Sequence, residues 1–132
     1  MVSTANIDEN LNTAARLIAK AVEGGARLVL LPEVFAVLEG GPMRQFGEIE
    51  GDPEAQLQNF LSQQASKHQV IIVGGTIPLI SRPPNGEVSA AEIIESERVR
   101  SACLVFDESG AQIARYDKIH LFDVIVNDEQ SE

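Results

Sequence analysis

Only one cysteine, Cys103, occurs in the 132 residues. A lone thiol excludes an intramolecular disulfide framework and a multi-cysteine metal site. Positive charge is scarce as well: ten Lys and Arg stand against twenty Asp and Glu, a net charge of -10. That balance argues against nucleic acid or an anionic membrane surface as a partner. No apolar run approaches the roughly 18 residues that a membrane-spanning helix needs, and the first residues lack the basic-then-apolar order of a secretion signal. The cytoplasm is therefore the expected compartment. Phosphate-binding loops are missing too: Gly40-Gly41-Pro42 has neither the lysine-serine ending of a P-loop nor the glycine spacing of a dinucleotide fingerprint. What remains is the composition of a globular chain, 44% hydrophobic and 23% charged, long enough for one domain and too short for two.

The chain is organised around Ala26-Arg27-Leu28-Val29-Leu30-Leu31-Pro32-Glu33-Val34-Phe35. Four consecutive aliphatic residues between Gly24-Gly25 and Pro32 predict a strand buried on both faces, as inside a parallel sheet. Pro32 has no N–H to give a ladder, so pairing should stop there. Glu33 would then stand just past the carboxyl end of a strand, where open α/β sheets place their site crevices.

Before it, Asn6 with Glu9 three residues on has the form of a capping box. Leu11, Ala14, Ala15, Ile18, Ala21 and Val22 share one helical face, and Gly24-Gly25 supplies a left-handed stop. Met1 to Ala5 could be the tail of a strand whose body lies upstream. After it, residues 36–51 read as a loop bordering the Glu33 site. Asp52-Pro53-Glu54 predicts a helix start by cap, N1 proline and first-turn acid, with Leu57, Phe60, Leu61 and Ala65 as its buried stripe. His68 falls in the last turn, where a cation suits the dipole, and reads as a cap and not a catalyst.

Val70-Ile71-Ile72-Val73, ended by Gly74-Gly75 and followed by Thr76, is a second buried strand. Two helix-strand units in succession favour a mixed or parallel sheet with helices packed on it. Residues 81–97 hold Pro83-Pro84-Asn85-Gly86 and a charge-rich, weakly helical piece, and read as a surface excursion. Residues 98–107 and 111–117 form a hairpin around Asp107-Glu108-Ser109-Gly110. Cys103 sits mid-strand in Ser101-Ala102-Cys103-Leu104-Val105, the position of a core residue.

Two of these stretches carry a resemblance. Gly25 to Phe35 resembles the first catalytic motif of the nitrilase superfamily, the carbon–nitrogen hydrolases. Tyr116-Asp117-Lys118-Ile119-His120-Leu121-Phe122-Asp123 resembles the second, with Glu33 and Lys118 spaced 85 residues apart. The helix leading into Val70 to Thr76 and the hairpin through Leu104-Val105-Phe106-Asp107 are similar in order and spacing. The likeness covers nearly the whole chain apart from 81–97, and is nearest to the amidase branch related to omega-amidases.

The resemblance implies the rest. The fold class is α/β, a partial αββα sandwich of the carbon–nitrogen hydrolase type, with a mixed sheet carrying both helices on one face and the other face uncovered. Residues 1–132 would be the N-terminal part of a single domain, with the first strand and the C-terminal half absent. Glu33 would be the general base, Lys118 the support for an anionic tetrahedral intermediate, and a cysteine the nucleophile. Amide cleavage asks for those three groups: a nucleophile, a base for thiol and water, and a positive charge at the oxyanion. The family's cysteine lies beyond the second motif, Cys103 does not replace it, and His120 reads as a packing residue. The chain is thus expected to be a fragment of an amidase acting on small amides or nitriles, inactive by itself. No cofactor and no metal are implied, the substrate is a small-molecule amide, and the full protein would be a homodimer. The alternative is a non-catalytic truncated homologue that serves as a binding or dimerisation partner.

Overall fold

The computed structural model describes residues 1–38, 42–82, 92–93 and 99–119. His120 and the remainder of the second motif lie outside the described residues, as does most of 81–97.

The first helix, α1, spans Ile7–Glu23. Its start is set by Asn6, whose Oδ1 accepts the Glu9 N–H at 3.2 Å, satisfying one of the orphan donors of the first turn. The reciprocal half of a capping box is not made, because the Asn6 N–H is taken by Thr4 Oγ1 at 3.1 Å. Leu11, Ala14 and Ile18 are buried along one face. At the far end Gly25, at φ 91°, turns the chain so that its N–H reaches the Val22 carbonyl and the Ala26 N–H that of Ala21.

The strand that follows, β1 (Leu28–Leu30), is buried on one face only. Val29 lies against the helices, whereas Leu28 and Leu30 are 55% and 68% exposed. The expectation of burial on both faces is thereby corrected: among the described residues the helices cover just one side of the sheet. Residues 1–5 form no strand; instead Thr4 O accepts from Leu38 N and Ser3 Oγ donates to Phe35 O.

The second helix, α2, spans Gln56–His68 and begins later than the Asp52-Pro53-Glu54 signal predicts. Those residues make a turn of their own, in which Asp52 Oδ1 accepts the Glu54 N–H and the Asp52 carbonyl that of Ala55. The cap comes from outside the helix: the Glu48 carboxylate accepts the N–H groups of Leu57 at 2.5 Å and Gln58 at 3.2 Å. Leu57, Leu61 and Ala65 are buried as expected.

The sheet then assembles from β2 (Ile71–Val73), β3 (Ile77–Leu79), β6 (Arg100–Phe106) and β7 (Gln112–Asp117) beside β1. β1 pairs β2 in parallel; β2, β3 and β7 each pair β6 antiparallel. Because β7 occupies one edge of β6, β2 and β3 share the other. The spatial order is β1, then β2 continued by β3, then β6, then β7. Two residues each of β4 (Ser81–Arg82) and β5 (Glu92–Ile93) make a separate antiparallel pair, so that part of the excursion is strand where a weakly helical piece was expected. Ile18, Leu57, Leu61, Ile72, Ile77 and Leu104 interlock between the helices and one sheet face as the core. Among the described residues, no helix is long and apolar enough to cross a membrane.

Candidate active site

β1 ends with the Leu31 N–H donating to the Val73 carbonyl at 2.9 Å. Pro32 follows and offers no donor, so the chain peels away from the ladder. Two residues later Val34 adopts φ 51°, a left-handed conformation that is an outlier for a β-branched side chain. Its N–H donates to Thr76 Oγ1 at 3.2 Å. Glu33 is thus carried on a tight, strained turn rather than a loose loop.

The other wall of that turn is a bulge. Between the Val73–Val105 and Ile77–Ala102 pairs the chain advances four residues against three on β6, so Gly74-Gly75-Thr76 contains one extra residue. Bulges of this kind bend a strand and re-aim its side chains. Gly75, at φ +50°, comes so close to β1 that a Cβ on it would lie 2.1 Å from the Pro32 carbonyl oxygen. Only glycine admits that approach.

Lys118 arrives from the opposite edge of the sheet, just past β7, with its N–H held by the Ser101 carbonyl at 2.9 Å. The alternation of β7 sends Arg115 and Asp117 to the helix side and Tyr116 and Lys118 to the open side. On the helix side Arg115 pairs with the fully buried Glu50 at 2.9 Å and also with Asp117, which Arg100 meets at 2.8 Å. Gln112 Nε2 adds a hydrogen bond to Glu50 Oε1. This part-buried network, anchored on Glu50, fixes the strand from below and leaves Lys118 to face outward.

Across the open face, Lys118 Nζ meets Glu33 Oε1 at 2.6 Å. The two residues expected to act together are therefore brought together, although 85 residues separate them in sequence. The Glu33 side chain is 54% exposed, and an ion pair so open to water adds at most about 1 kcal/mol of stability. It borders an open cavity of about 540 Å³ whose floor is Leu30, Cys103 and Tyr116 and whose rim includes Pro32, Gly75 and Thr76. A proton acceptor and a fixed positive charge thus stand side by side on an apolar floor, the arrangement that proton transfer and oxyanion stabilisation require.

Cys103 lies on that floor, half-buried beside its cross-strand neighbour Tyr116. It is not part of the helix-side core, contrary to the expectation from its mid-strand position, because the register turns Ala102 and Leu104 inward instead. Burial pushes its thiol pKa above the ordinary value, which keeps it a thiol and a poor nucleophile. His68 ends α2 and lines no part of this cavity. Residues 36–51 were expected to border the Glu33 site; the described residues among them line no part of its cavity, and residues 45–49 instead line a second cavity of about 360 Å³ at the start of α2, between Phe46, Glu48, Leu57 and Ile80. Among the described residues no cluster of three or more His, Cys, Asp or Glu side chains could hold a metal ion. Thr76 and Gly75 escaped the reading of the sequence as site residues; their signal was the glycine pair after β2.

Residues 1–132 match the family model described as carbon–nitrogen hydrolase. A deaminated glutathione amidase of Synechocystis is 38% identical over 128 residues, which is 97% of this chain and 42% of that protein. The omega-amidase NIT3 of Saccharomyces cerevisiae is 32% identical over 120 residues, 87% of this chain and 37% of that protein. The crystal structure of S. cerevisiae Nit3, a member of branch 10 of the nitrilase superfamily, superposes with a TM-score of 0.70 at 29% identity, covering 89% of this chain and 41% of that one. The chain thus spans about two fifths of the length of these relatives.

Proposed function

The chain belongs to the carbon–nitrogen hydrolase family, and from that premise we propose that it carries two of the three reacting groups of an amidase. Glu33 is the general base and Lys118 the oxyanion support. The observation that carries this reading is the 2.6 Å contact between the two side chains at one open cavity.

In the proposed cycle the Glu33 carboxylate takes the proton of a cysteine thiol as its sulfur attacks the amide carbon. The Lys118 ammonium faces the oxygen that gains the negative charge. Collapse of the tetrahedral adduct breaks the C–N bond, and the nitrogen leaves as ammonia or amine with the proton from Glu33. Water, deprotonated by Glu33, then cleaves the thioester to release the acid and restore the thiol. The only thiol in these 132 residues is Cys103, whose raised pKa does not suit attack. The reading therefore assigns the nucleophile to a longer polypeptide, and these 132 residues by themselves turn over no amide. In that polypeptide, a cytoplasmic homodimer, the substrate is a small amide and no cofactor takes part.

The test is turnover by the native polypeptide that contains these residues, once its intact mass is known. Glu33→Gln should lower kcat by about 10²–10⁴-fold and Lys118→Met by about 10²–10³-fold, with little change in KM. Wild-type kcat in either variant would overturn the assignment. A native mass of 14.3 kDa would favour the second reading, a non-catalytic homologue that binds a partner, for which the exposed Leu28 and Leu30 offer apolar surface.

A further inference from the structure

The turn that carries Glu33 is held in a conformation its own residues do not favour. Val34 sits at φ 51°, a strained conformation for a non-glycine residue that persists only where its surroundings impose it. Two contacts impose it, and both come from the bulge between β2 and β3. One is the hydrogen bond from the Val34 N–H to Thr76 Oγ1. The other is the close approach of Gly75 to the Leu31 and Pro32 carbonyls. Neither belongs to a ladder of the sheet: the β1–β2 pairing ends at Leu30↔Val73.

We propose that Thr76 is a positioning residue, whose hydroxyl accepts the Val34 N–H and thereby aims Glu33 at Lys118. The proposal rests on the reading of Glu33 and Lys118 as the reacting pair and adds what sets their contact. The bulge explains why the position is a hydroxyl residue. An extra residue between Val73 and Ile77 lets Thr76 face β1 at the level where β1 has already left the sheet, and there the freed Val34 N–H needs an acceptor. Without that acceptor the part-buried N–H is unpaired. Val34 relaxes to negative φ, and the side chain one residue earlier swings off its line to Lys118.

The ¹⁵N-labelled 132-residue chain tests this without any turnover. A lysine ammonium gives a resolved Nζ signal when it is held in a hydrogen bond and loses it to water exchange when it is free. Glu33→Gln should abolish or displace the Lys118 signal, which assigns it to the pair. Thr76→Val, equal in shape but with no acceptor, should cut its intensity by more than half at fixed pH and temperature; Thr76→Ser should retain it. An undiminished signal in folded Thr76→Val overturns the proposal, as does equal loss in the serine variant or absence of the signal from the unmodified chain. If Thr76→Val does not fold, amide exchange in the unmodified chain decides: protection of the Val34 amide supports the proposal, and exchange at the rate of an unstructured peptide overturns it. The catalytic reading fails separately, through turnover that survives Glu33→Gln in the full polypeptide.

Discussion

Replacing Gly75 by alanine tests how tightly the bulge grips the end of β1. The new Cβ would lie 2.1 Å from the Pro32 oxygen and 2.8 Å from the Leu31 oxygen, both backbone atoms that no rotamer change can move. The left-handed backbone at φ +50° adds about 1–2 kcal/mol for any residue with a side chain. Forcing an extra carbon into a closed contact adds about 1–3 kcal/mol. The expected loss is therefore about 2–5 kcal/mol, a large part of the roughly 5–15 kcal/mol that holds a domain folded. Gly25 supplies the control. It too has positive φ, at +91°, but a Cβ there meets nothing within 4 Å, so Gly25→Ala should lose only the backbone share. Urea denaturation of both variants separates the two effects. With m about 1–3 kcal/mol/M, the contact share of about 1–3 kcal/mol should place the Gly75→Ala midpoint below that of Gly25→Ala by about 0.3–3 M. Equal midpoints would refute the argument, because they would mean that the contact with Leu31 and Pro32 carries no energy.

Asn10, 3% exposed on α1, donates from Nδ2 to the Thr4 and Ala36 carbonyls at 2.7 and 2.8 Å and accepts from Thr4 N. Asn10→Leu keeps the size and takes the partner from the Thr4 N–H and the Ala36 carbonyl, so the urea midpoint should fall by an amount equal to about 1–3 kcal/mol, and the Leu38 amide bonded to Thr4 should exchange faster; an unchanged midpoint would show that the tie is idle. Glu48 has its carboxyl pKa raised above the ordinary 4.5, by burial first and against the opposing hydrogen bond from the Leu57 amide. The folded state then holds this proton more tightly than the unfolded chain, so the contribution of Glu48 is full below pH 4.5 and falls as pH rises through the folded value. Glu48→Gln should remove that downward slope from a plot of urea midpoint against pH above 4.5, whatever it does to stability itself; the same slope in the variant would place its origin elsewhere.

Much of the architecture was legible because it is local. Asn6 and the Leu11–Ala14–Ile18 spacing announce α1, and the turn at Gly110 announces the β6–β7 hairpin, where Gly110 adopts φ 86°. What was not legible depends on distant partners. The start of α2 was read three residues early because Asp52-Pro53-Glu54 has every local mark of a helix start; the actual cap is Glu48, whose identity as a cap exists only once the loop has folded back. Glu50 is an acid in a loop, a position that reads as solvated, yet it is fully buried because Arg115 on β7 lies opposite. β3 (Ile77–Leu79) has no clear signal in the sequence, since Pro78 argues against a strand. The Pro78 carbonyl points away from β6 and accepts the Glu48 N–H at 3.0 Å, so the N–H that proline lacks would have pointed away from β6 too, and the β3–β6 pairing loses nothing.

The candidate site shows the same division in its own geometry. Glu33 and Lys118 each follow the carboxyl end of a strand, and β1 and β7 run in the same direction, since β7 is antiparallel to β6 and β6 to β2. Direction alone does not make them meet, for β2, β3 and β6 stand between them. The contact needs Glu33 to leave its strand early and turn back over the open face, and it needs Lys118 to overshoot β7 onto that face. The first is written locally in Pro32, which ends the ladder; the second follows from alternation once Arg115 and Asp117 are drawn inward by Glu50 and Arg100. The remaining requirement, the extra residue at Gly74-Gly75-Thr76, is a matter of register between β2, β3 and β6. A period-two pattern broken by two glycines marks that something happens there. Only the pairing with β6 shows that it is a one-residue slip, and that the slip turns Thr76 toward the strand that carries Glu33.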